Sequence, residues 1–443
     1  MTDISQADFP AASRAAWEER VHAVLKGRAF DTLVSQTADG IRIDPLYGPA
    51  EGPRAFKAGH GPWRVVQRID HPSPAKANEQ ALNDLENGAT GLALCLAGAP
   101  ASRGFGLAKH DARKLSRLFD QVRIDAIALR LEGDAHAARN LADAIAEMPF
   151  DPARLEIDFG LDPLADNAGI VAMLLDRDFQ GPFVNADGRR WHDAGASEAE
   201  ELAFTLASGV AALRNLEALD AERLARAVSV TLAADQDAFL SLAKFRAMRL
   251  LWACVLDASK LPPAPLALHA ETSWRMMTAR DPHMNILRSM AGVFGAGLGG
   301  ADSISMLPFS LAQGLPDAFA RRIARNAQSI LLAESNLWRV ADPSAGSGYV
   351  EHLTHELCAR AWSLFQDVER EGGLAASLSA GTVESRIAKS RAARRERIGQ
   401  SLETIIGVTA FTAPDPHKPA IEKDVARGVT AARISEAFEG HAL

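Results

Sequence analysis

Short apolar segments alternate with longer amphipathic segments along most of this chain. The short segments predict eight strands, which begin near residues 63, 92, 127, 155, 183, 227, 266 and 303. Between them apolar residues recur at helical spacing, and the predicted helices begin near Pro74, Lys109, His136, Ala165, Ser197, Leu242, Asp281 and Pro316. Strands that alternate with helices favour a parallel sheet, and eight such units are typical of a (β/α)8 TIM barrel in the α/β class.

A doubly wound open sheet is the structural alternative for the same alternation. That fold usually has fewer strands and begins with a glycine-rich first turn. No such turn follows the first predicted strand, WRVVQRI at residue 63. We therefore predict the closed barrel.

The predicted barrel takes up residues 61–335, and two further segments flank it. Residues 1–60 form an N-terminal extension, in which a helix around WEERVHAVLKG precedes a stretch rich in proline and glycine. This extension is too irregular to fold alone, so we expect it to lie on a surface and to contact a partner. Residues 336–443 form a helical segment and linker, with the predicted helices LTHELCARAWSLFQDVEREGG and VESRIAKSRAARRERIG before the linker FTAPDPHKPA.

Composition narrows the class of protein. With 443 residues, 47% of them hydrophobic, the chain can bury a large core, and its formal charge of -8 argues against nucleic acid or an anionic membrane as a partner. The first residues, MTDISQADFP, lack a signal sequence and no apolar run reaches the length of a membrane span, so we expect a cytoplasmic protein. Cys95, Cys254 and Cys358 lack CxxC spacing, which predicts buried free thiols and no zinc site.

Three local patterns have ordinary structural interpretations. GVFGAGLGGA at residue 292 matches no nucleotide-binding spacing, so we expect close packing at a helix end, and DPSAGSG at residue 342 predicts a turn. The second C-terminal helix is basic. Because aromatic residues do not alternate with its charges, a solvated or partner-facing surface is favoured over a nucleic-acid site for Arg386, Lys389, Arg391, Arg394, Arg395 and Arg397.

In a barrel of this kind, chemistry belongs at the carboxyl ends of the strands. The polar residues predicted there are Gln67, Arg68, Asp162, Trp191, His192, Asp193, Asp235, His269, Glu271, Ser303 and Ser305. His269 and Glu271 are alternate residues of the seventh strand, so they share a face and could act as proton donor and acceptor in one cavity. The equally favoured alternative is a polar cluster in which they hydrogen-bond each other.

The stretch from His269 to Tyr349 holds more specific residues than packing demands. It contains HAETSWRMMTARDP, FARRIARNAQSILLAES and RVADPSAGSGY in this order, and it resembles the barrel domain of the adenosylcobalamin-dependent acyl-CoA mutases, above all methylmalonyl-CoA mutase. At the seventh strand that family has THSQTSG, where this chain reads LHAETSW. The resemblance implies vestigial candidates for substrate binding: the retained His269, Thr272 and Ser273, and Glu271 in place of a glutamine.

Elsewhere the chain departs from the family's functional positions. The fifth-strand motif GYHMQEAGA reads GRRWHDAGA, so Arg189 and Arg190 replace a tyrosine and a histidine that face substrate and cofactor. The eighth-strand motif HTNSFDEA reads SMLPFSLA, and Leu311 replaces its glutamate. The family's tyrosine before the first strand and its arginine for the substrate carboxylate have no counterpart. A radical enzyme cannot lose several such contacts at once, so we assign no catalytic residue to this chain.

The cobalamin-binding domain of the family has no counterpart either. Its motif DxHxxG, whose histidine ligates cobalt, does not occur, and the nearest string, DAHAAR at residue 134, lacks the glycine and lies inside the barrel repeat. We therefore expect no cofactor-binding residue and no metal ligand in this chain. The resemblance assigns adenosylcobalamin to the holoenzyme or to a partner chain.

WHDAGAS at residue 191 resembles the small, or beta, subunit of heterodimeric methylmalonyl-CoA mutase. The resemblance implies a barrel that supports a catalytic alpha subunit in the interconversion of methylmalonyl-CoA and succinyl-CoA. ARISEAFEG near the end resembles the linker to the cobalamin-type domain of such chains. Two alternatives stay open: a divergent acyl-CoA mutase substrate subunit that recruits a separate cobalamin-binding protein, and a stand-alone CoA-thioester-binding protein. An acyl-CoA is the small-molecule partner that all three hypotheses allow.

Overall fold

Eight parallel strands, β1 to β8, form the centre of the molecule. The computed structural model describes residues 12–51, 61–108, 111–423 and 425–439. Within these residues the strands pair in the order β4-β3-β2-β1-β8-β7-β6-β5. Their bounds are Arg64–Ile69, Gly91–Cys95, Ala128–Glu132, Glu156–Asp158, Val184–Asp187, Val228–Ala234, Ala267–Thr272 and Ser303–Ser305.

The ring of strands closes between β4 and β5. Past the end of β4, Leu161 N donates to Phe183 O (3.0 Å), and Asn185 N in β5 donates to Leu161 O (3.0 Å). Helices cover the outside of the sheet, and as a result β2, β3 and β6 are buried at every position. The predicted (β/α)8 barrel is confirmed, with each strand at its predicted place.

The helices begin where the sequence supplies capping side chains. Asp134, Asp237 and Asp317 each accept a hydrogen bond from the backbone N–H three residues later, which satisfies one of the unpaired groups at a helix start. The helices α1 to α14 are Arg14–Leu25, Pro74–Glu86, Ala112–Leu118, Ala135–Ala146, Ala168–Asp176, Arg189–Ala194, Glu198–Asn215, Ala221–Arg226, Ala238–Ala258, Met284–Leu298, Ala318–Ser329, Gly348–Arg370, Leu374–Ser379 and Thr382–Gly399.

Some helix starts differ from those predicted. α5 and α10 begin three residues after Ala165 and Asp281, and α9 begins before Leu242. At α3 the start follows Asp111, whose side chain accepts a hydrogen bond from Lys114 N. Lys109, the predicted start, lies outside the described residues. Periodicity did not predict α6 and α8, because six residues are too few to show a helical repeat.

The glycine-rich run near residue 292 confirms the predicted close packing. It lies in the second half of α10, where a β carbon on Gly295 would stand 2.5 Å from the Ala238 carbonyl oxygen. A β carbon on Gly292 would stand 2.7 Å from the Ala234 carbonyl oxygen. Glycine therefore lets α10 lie directly against the backbone of α9 and β6.

The described part of the N-terminal extension contacts both the barrel and α12. Asp39, in the turn of a short hairpin (Ser35–Gln36 with Arg42–Ile43), accepts hydrogen bonds from Ser197 Oγ (2.5 Å) and Ala199 N (3.2 Å) at the start of α7. Tyr47 packs on Tyr349 of α12, with 5.5 Å between the ring centroids. Residues 52–60, the end of the proline- and glycine-rich stretch, lie outside the described residues.

After the barrel the chain forms the predicted turn at residue 342 and the predicted helices α12 and α14. The segment that follows has the irregular backbone of a linker, but residues 425–439, the C-terminal strap, are docked on the barrel mouth, where the carboxyl ends of the strands meet. Gly428 N donates to Gly104 O (2.7 Å), and Trp274 Nε1 donates to Ala431 O (2.7 Å). Side chains of the strap bind the mouth as well, since Arg427 Nη1 donates to Ala312 O (3.0 Å) and Ser435 Oγ donates to Met277 O (2.9 Å). Composition could not predict this docking, because most of these partners in the barrel are backbone groups.

The three cysteines are free, as predicted. Cys95 is buried, Cys254 is exposed, and Cys358 is partly buried, with its Sγ 3.7 Å from Ala247 O of α9. The prediction of buried thiols is therefore confirmed for Cys95 and wrong for Cys254, and Cys358 is intermediate. None of the described helices is both long and apolar enough to cross a membrane.

The attachment of the extension should depend on pH. Burial, and next the negative charge of Glu198, raise the pKa of Asp39 from 3.8 to about 6. Because the folded pKa lies above the unfolded one, stability from this group is full below the unfolded pKa and is lost as pH rises through 6. We expect Asp39→Asn to be more stable than the parent protein at neutral pH by roughly 3 kcal/mol, with no difference near pH 3. Urea unfolding of both proteins across this range measures it, and parallel pH profiles would contradict it.

Candidate functional site

The carboxylate of Glu271 is the centre of the barrel mouth. It lies on β7 and accepts hydrogen bonds from three guanidinium groups that belong to three other elements. Arg68 Nη1 on β1 and Arg189 Nη1 on α6 donate to Oε2, at 2.8 and 3.1 Å. Arg103, in the loop after β2, donates to Oε1 from Nη2 (2.6 Å) and Nε (3.2 Å). The mouth is therefore held closed by contacts across the barrel.

Further carboxylates surround these arginines. Arg68 Nε donates to Asp70 (3.3 Å), Arg189 Nη2 donates to Glu132 (2.8 Å), and Arg103 pairs with Asp193. Burial disfavours the charge on Glu271, but Arg189, Arg103 and Arg68 outweigh that effect and lower its pKa to about 2. Glu271 is thus an ionised carboxylate at neutral pH and a poor proton acceptor.

His269 shares the inward face of β7 with Glu271, as their spacing predicts. Its partner, however, is Ser303, whose Oγ lies 2.7 Å from Nδ1, while the Nε2 atom is buried without a partner among the described residues. Burial, and next the charges of Arg130 and Arg189, hold the pKa of His269 well below its usual range. The two side chains therefore take separate partners and form neither the expected donor–acceptor pair nor a mutual hydrogen bond.

The remaining candidates on this strand serve as structural acceptors. Thr272 Oγ1 accepts a hydrogen bond from Leu307 N (2.8 Å), which joins β7 to the chain after β8. Ser273 Oγ lies 2.8 Å from His192 Nε2 and also accepts from Met276 N (3.3 Å). Among the other predicted residues, Gln67 faces outward, where its Nε2 donates to Arg321 O (3.1 Å).

His192 belongs to a second buried ionic cluster. Its Nδ1 lies 3.0 Å from Glu201, which also accepts from Lys244 Nζ (2.6 Å), and its Nε2 lies 3.4 Å from Asp235. Ser273, His192 and Glu201 thus have the order of a serine–histidine–acid triad. A nucleophile needs access to substrate, yet Ser273 is 1% exposed and His192 is held between two carboxylates. We interpret the cluster as structural.

The same cluster contains a group of potential metal ligands, His192, Glu198 and Asp235. The protein supplies its own cation there. Arg275 Nη2 lies 3.0 Å from Asp235 and 3.5 Å from Glu198, and Arg394 of α14 lies 3.8 Å from Asp235. One residue of the basic helix therefore faces this cluster, although the helix was expected to face solvent or a partner.

Apolar side chains fill the mouth beside β7 and β8. Leu311, which replaces the glutamate of the resembled family, is fully buried. It packs in one cluster with Phe105, Trp274, Met277, Leu307 and Leu315. Arg427 of the C-terminal strap lies over the rings of Phe105 and Trp274, at 5.1 and 5.5 Å. On this side of the mouth the side chains therefore form a small apolar core, which the C-terminal strap covers.

Two adjoining cavities open at the mouth. The first, of about 570 Å³, lies at the carboxyl ends of β2 to β5, and its charged lining residues are Glu132, Asp134, Asp162, Asp166, Asp187 and Arg190. The second, of about 750 Å³, lies between residues 97–108 and the C-terminal strap and shares Arg190 with the first. The excess of carboxylates in the first cavity disfavours a polyanion such as the phosphates of CoA.

Sequence reasoning missed several of the residues that organise these clusters. Glu201 and Lys244 had a usable signal, because each is a charged residue within an otherwise buried run of α7 or α9. Arg103 had none, since it lies in a loop without periodic pattern. The nearest cobalamin-type string, at residue 134, is a helix start, in which Asp134 caps α4.

The second cluster predicts a specific loss of stability. Burial opposes ionisation of Glu201, but Lys244 and His192 outweigh it and lower its pKa from 4.5 to about 2. Because the folded pKa is depressed, this stability is present above the unfolded pKa and is lost as pH falls through 2. We expect Glu201→Gln to cost about 3 kcal/mol at neutral pH and progressively less below about pH 4.5.

Urea unfolding of the Glu201→Gln variant over this pH range is the measurement. The matched control is Glu356→Gln, which breaks an exposed pair with Arg360 (3.6 Å) and should change stability by less than about 1 kcal/mol. Equal effects of the two substitutions at neutral pH would contradict the structural role of the buried cluster.

The chain is similar to known proteins over nearly its whole length. A family model described as methylmalonyl-CoA mutase matches residues 181–438. The methylmalonyl-CoA mutase small subunit of Streptomyces virginiae is 37% identical over 98% of this chain and 76% of its own length. The protein of the same name from Propionibacterium freudenreichii subsp. shermanii is 32% identical over 98% and 74%, and the probable methylmalonyl-CoA mutase small subunit of Mycobacterium bovis is 35% identical over 92% and 72%. This chain belongs to the methylmalonyl-CoA mutase family.

Proposed function

We propose that this chain is the small subunit of a methylmalonyl-CoA mutase and that it supports a catalytic partner without catalysing the reaction itself. The observation that carries the proposal is the 3.1 Å contact between Arg189 Nη1 and Glu271 Oε2. These residues stand where the resembled catalytic chains have a tyrosine and a glutamine. The two residues that differ from the family therefore form an ion pair with each other. Such a pair favours a barrel whose mouth stays closed.

The filling of the mouth supports the same assignment. Radical chemistry requires a substrate held in a cavity that excludes water. Here the Glu271 cluster and the apolar cluster around Leu311 occupy that space. We propose that the retained His269, Thr272 and Ser273, together with Glu271 in place of a glutamine, are scaffold residues of a vestigial substrate site. The acidic cavity beside them also disfavours a stand-alone CoA-thioester-binding role.

Adenosylcobalamin belongs to the partner chain in this proposal. The mutase family depends on cobalamin in general, but the described mouth residues do not fit that group. Glu271 is bound by three arginines, and the C-terminal strap crosses the loops after β7 and β8. No step of the reaction is therefore assigned to side chains of this chain. Three free cysteines fit the reducing cytoplasm, which stays our prediction for its location.

The N-terminal extension is the surface that we propose for the partner. Of the twelve residues of α1 only Leu25 is buried, and Trp17 and His22 pack on Phe30 of the same extension, at 6.1 and 6.0 Å. A helix of this length with so few contacts is marginal in water. A partner chain that covers α1 would supply the contacts that stabilise it.

One observation favours the divergent substrate subunit instead. Arg190 lines both mouth cavities and carries a charge suited to an acid group of a substrate. Turnover of an acyl-CoA by this chain with a separate cobalamin-binding protein, in the absence of an alpha chain, would establish that alternative.

Co-expression with a catalytic mutase chain tests the main proposal. We expect the two chains to co-purify as a complex that interconverts methylmalonyl-CoA and succinyl-CoA, and the catalytic chain alone to be less stable. A homodimer of this chain that turns over methylmalonyl-CoA with added adenosylcobalamin would contradict it.

A charge on α1 should weaken the complex selectively. Val24 is 74% exposed, so Val24→Asp should leave the fold of this chain intact and lower its affinity for the catalytic chain about tenfold. The control is Val340→Asp, at a valine that is 60% exposed outside the extension, which should bind normally. Affinities come from titration of each variant against the catalytic chain, and equal binding by both variants would exclude α1 as the contact.

A further inference from the structure

Three arginines meet at a single carboxylate in the barrel mouth. Arg68, Arg103 and Arg189 direct four N–H groups at the two oxygens of Glu271. A simple buried ion pair needs one guanidinium. Convergence of three around one carboxylate is the geometry by which proteins recognise an anionic ligand.

The arginines are held in place by groups other than Glu271. Arg189 donates to Asp187 (2.8 Å) and Glu132 (2.8 Å), Arg68 donates to Asp70 (3.3 Å), and Arg103 pairs with Asp193. Each guanidinium thus keeps a partner that fixes its position when Glu271 is removed. The position of each arginine is therefore set in part by acceptors other than the carboxylate that fills the site.

Two further observations indicate that the position favours an anion. Arg68 Nη2 is buried and has no acceptor among the described residues, so the cluster has an unused donor. Burial raises the pKa of Glu271, but the charges of Arg189, Arg103 and Arg68 reverse the shift and lower it to about 2. The position therefore stabilises a negative charge by more than its burial costs.

We propose that Arg68, Arg103 and Arg189 form a carboxylate-binding site that the chain fills with its own Glu271 side chain. When that side chain is absent, the site accepts a small external carboxylate. The inference concerns this site alone and does not rest on the small-subunit role.

Truncation of Glu271 to alanine provides the test, because it removes a CH2–COO⁻ group of the size of acetate. We expect Glu271→Ala to unfold at a lower temperature than the parent protein in chloride, and acetate at the same ionic strength to restore several degrees with saturation. The controls are the parent protein and Glu271→Gln, whose amide leaves no room for acetate, and neither should respond to acetate more than to chloride.

The response of the three proteins to acetate also decides against the proposal or for it in other cases. An equal effect of acetate on all three proteins, or no effect on Glu271→Ala, would overturn the proposal. Should Glu271→Ala not fold in chloride, its refolding from urea in acetate but not in chloride would support the proposal. Should it fold in neither, acetate does not replace the Glu271 carboxylate, and the proposal is overturned.

Discussion

The contact between the Glu271 carboxylate and the guanidiniums of Arg68, Arg103 and Arg189 sets the shape of the barrel mouth. A buried carboxylate is costly unless it is paired, and removal of one partner from such a pair typically costs several kcal/mol. Elements from β1, from the loop after β2 and from α6 must therefore meet β7 at this point. Because the chain itself supplies both the anion and the cations, the mouth keeps its shape without a ligand.

Two further clusters stabilise the barrel mouth around the Glu271 contact. The cluster of His192, Glu201 and Lys244 ties α6, α7 and α9 together beneath it. On the other side, Leu311 and Trp274 pack under the C-terminal strap. These clusters fill the mouth beside β7 and β8, and the open cavities lie at the ends of β2 to β5 and under the strap.

The sequence predicted the barrel well because strand positions depend on local apolar runs, and every predicted strand is present. Helix starts were less accurate, since single side chains such as Asp111 decide them. Motif comparison identified Arg189 and Glu271 as departures from the family, but not that they touch. They lie 82 residues apart in sequence, and their contact exists only once the barrel closes.

Other parts of the candidate site could not be predicted for distinct physical reasons. Arg103 follows no periodic pattern. The C-terminal strap docks through backbone groups and through side chains such as Arg427, whose partners are backbone carbonyls and rings of the distant barrel mouth. The pairing of His269 with Ser303 instead of Glu271 reflects competition, because three arginines bind the carboxylate more strongly than a neutral imidazole does.

The number of methylmalonyl-CoA molecules bound per chain tests most directly whether this chain takes part in the reaction. Equilibrium dialysis would compare the isolated chain, the isolated catalytic chain and their complex at equal concentrations. A closed mouth predicts no saturable binding to the isolated chain and one site for each pair of chains in the complex. Saturable binding to this chain alone, or two sites for each pair, would contradict it.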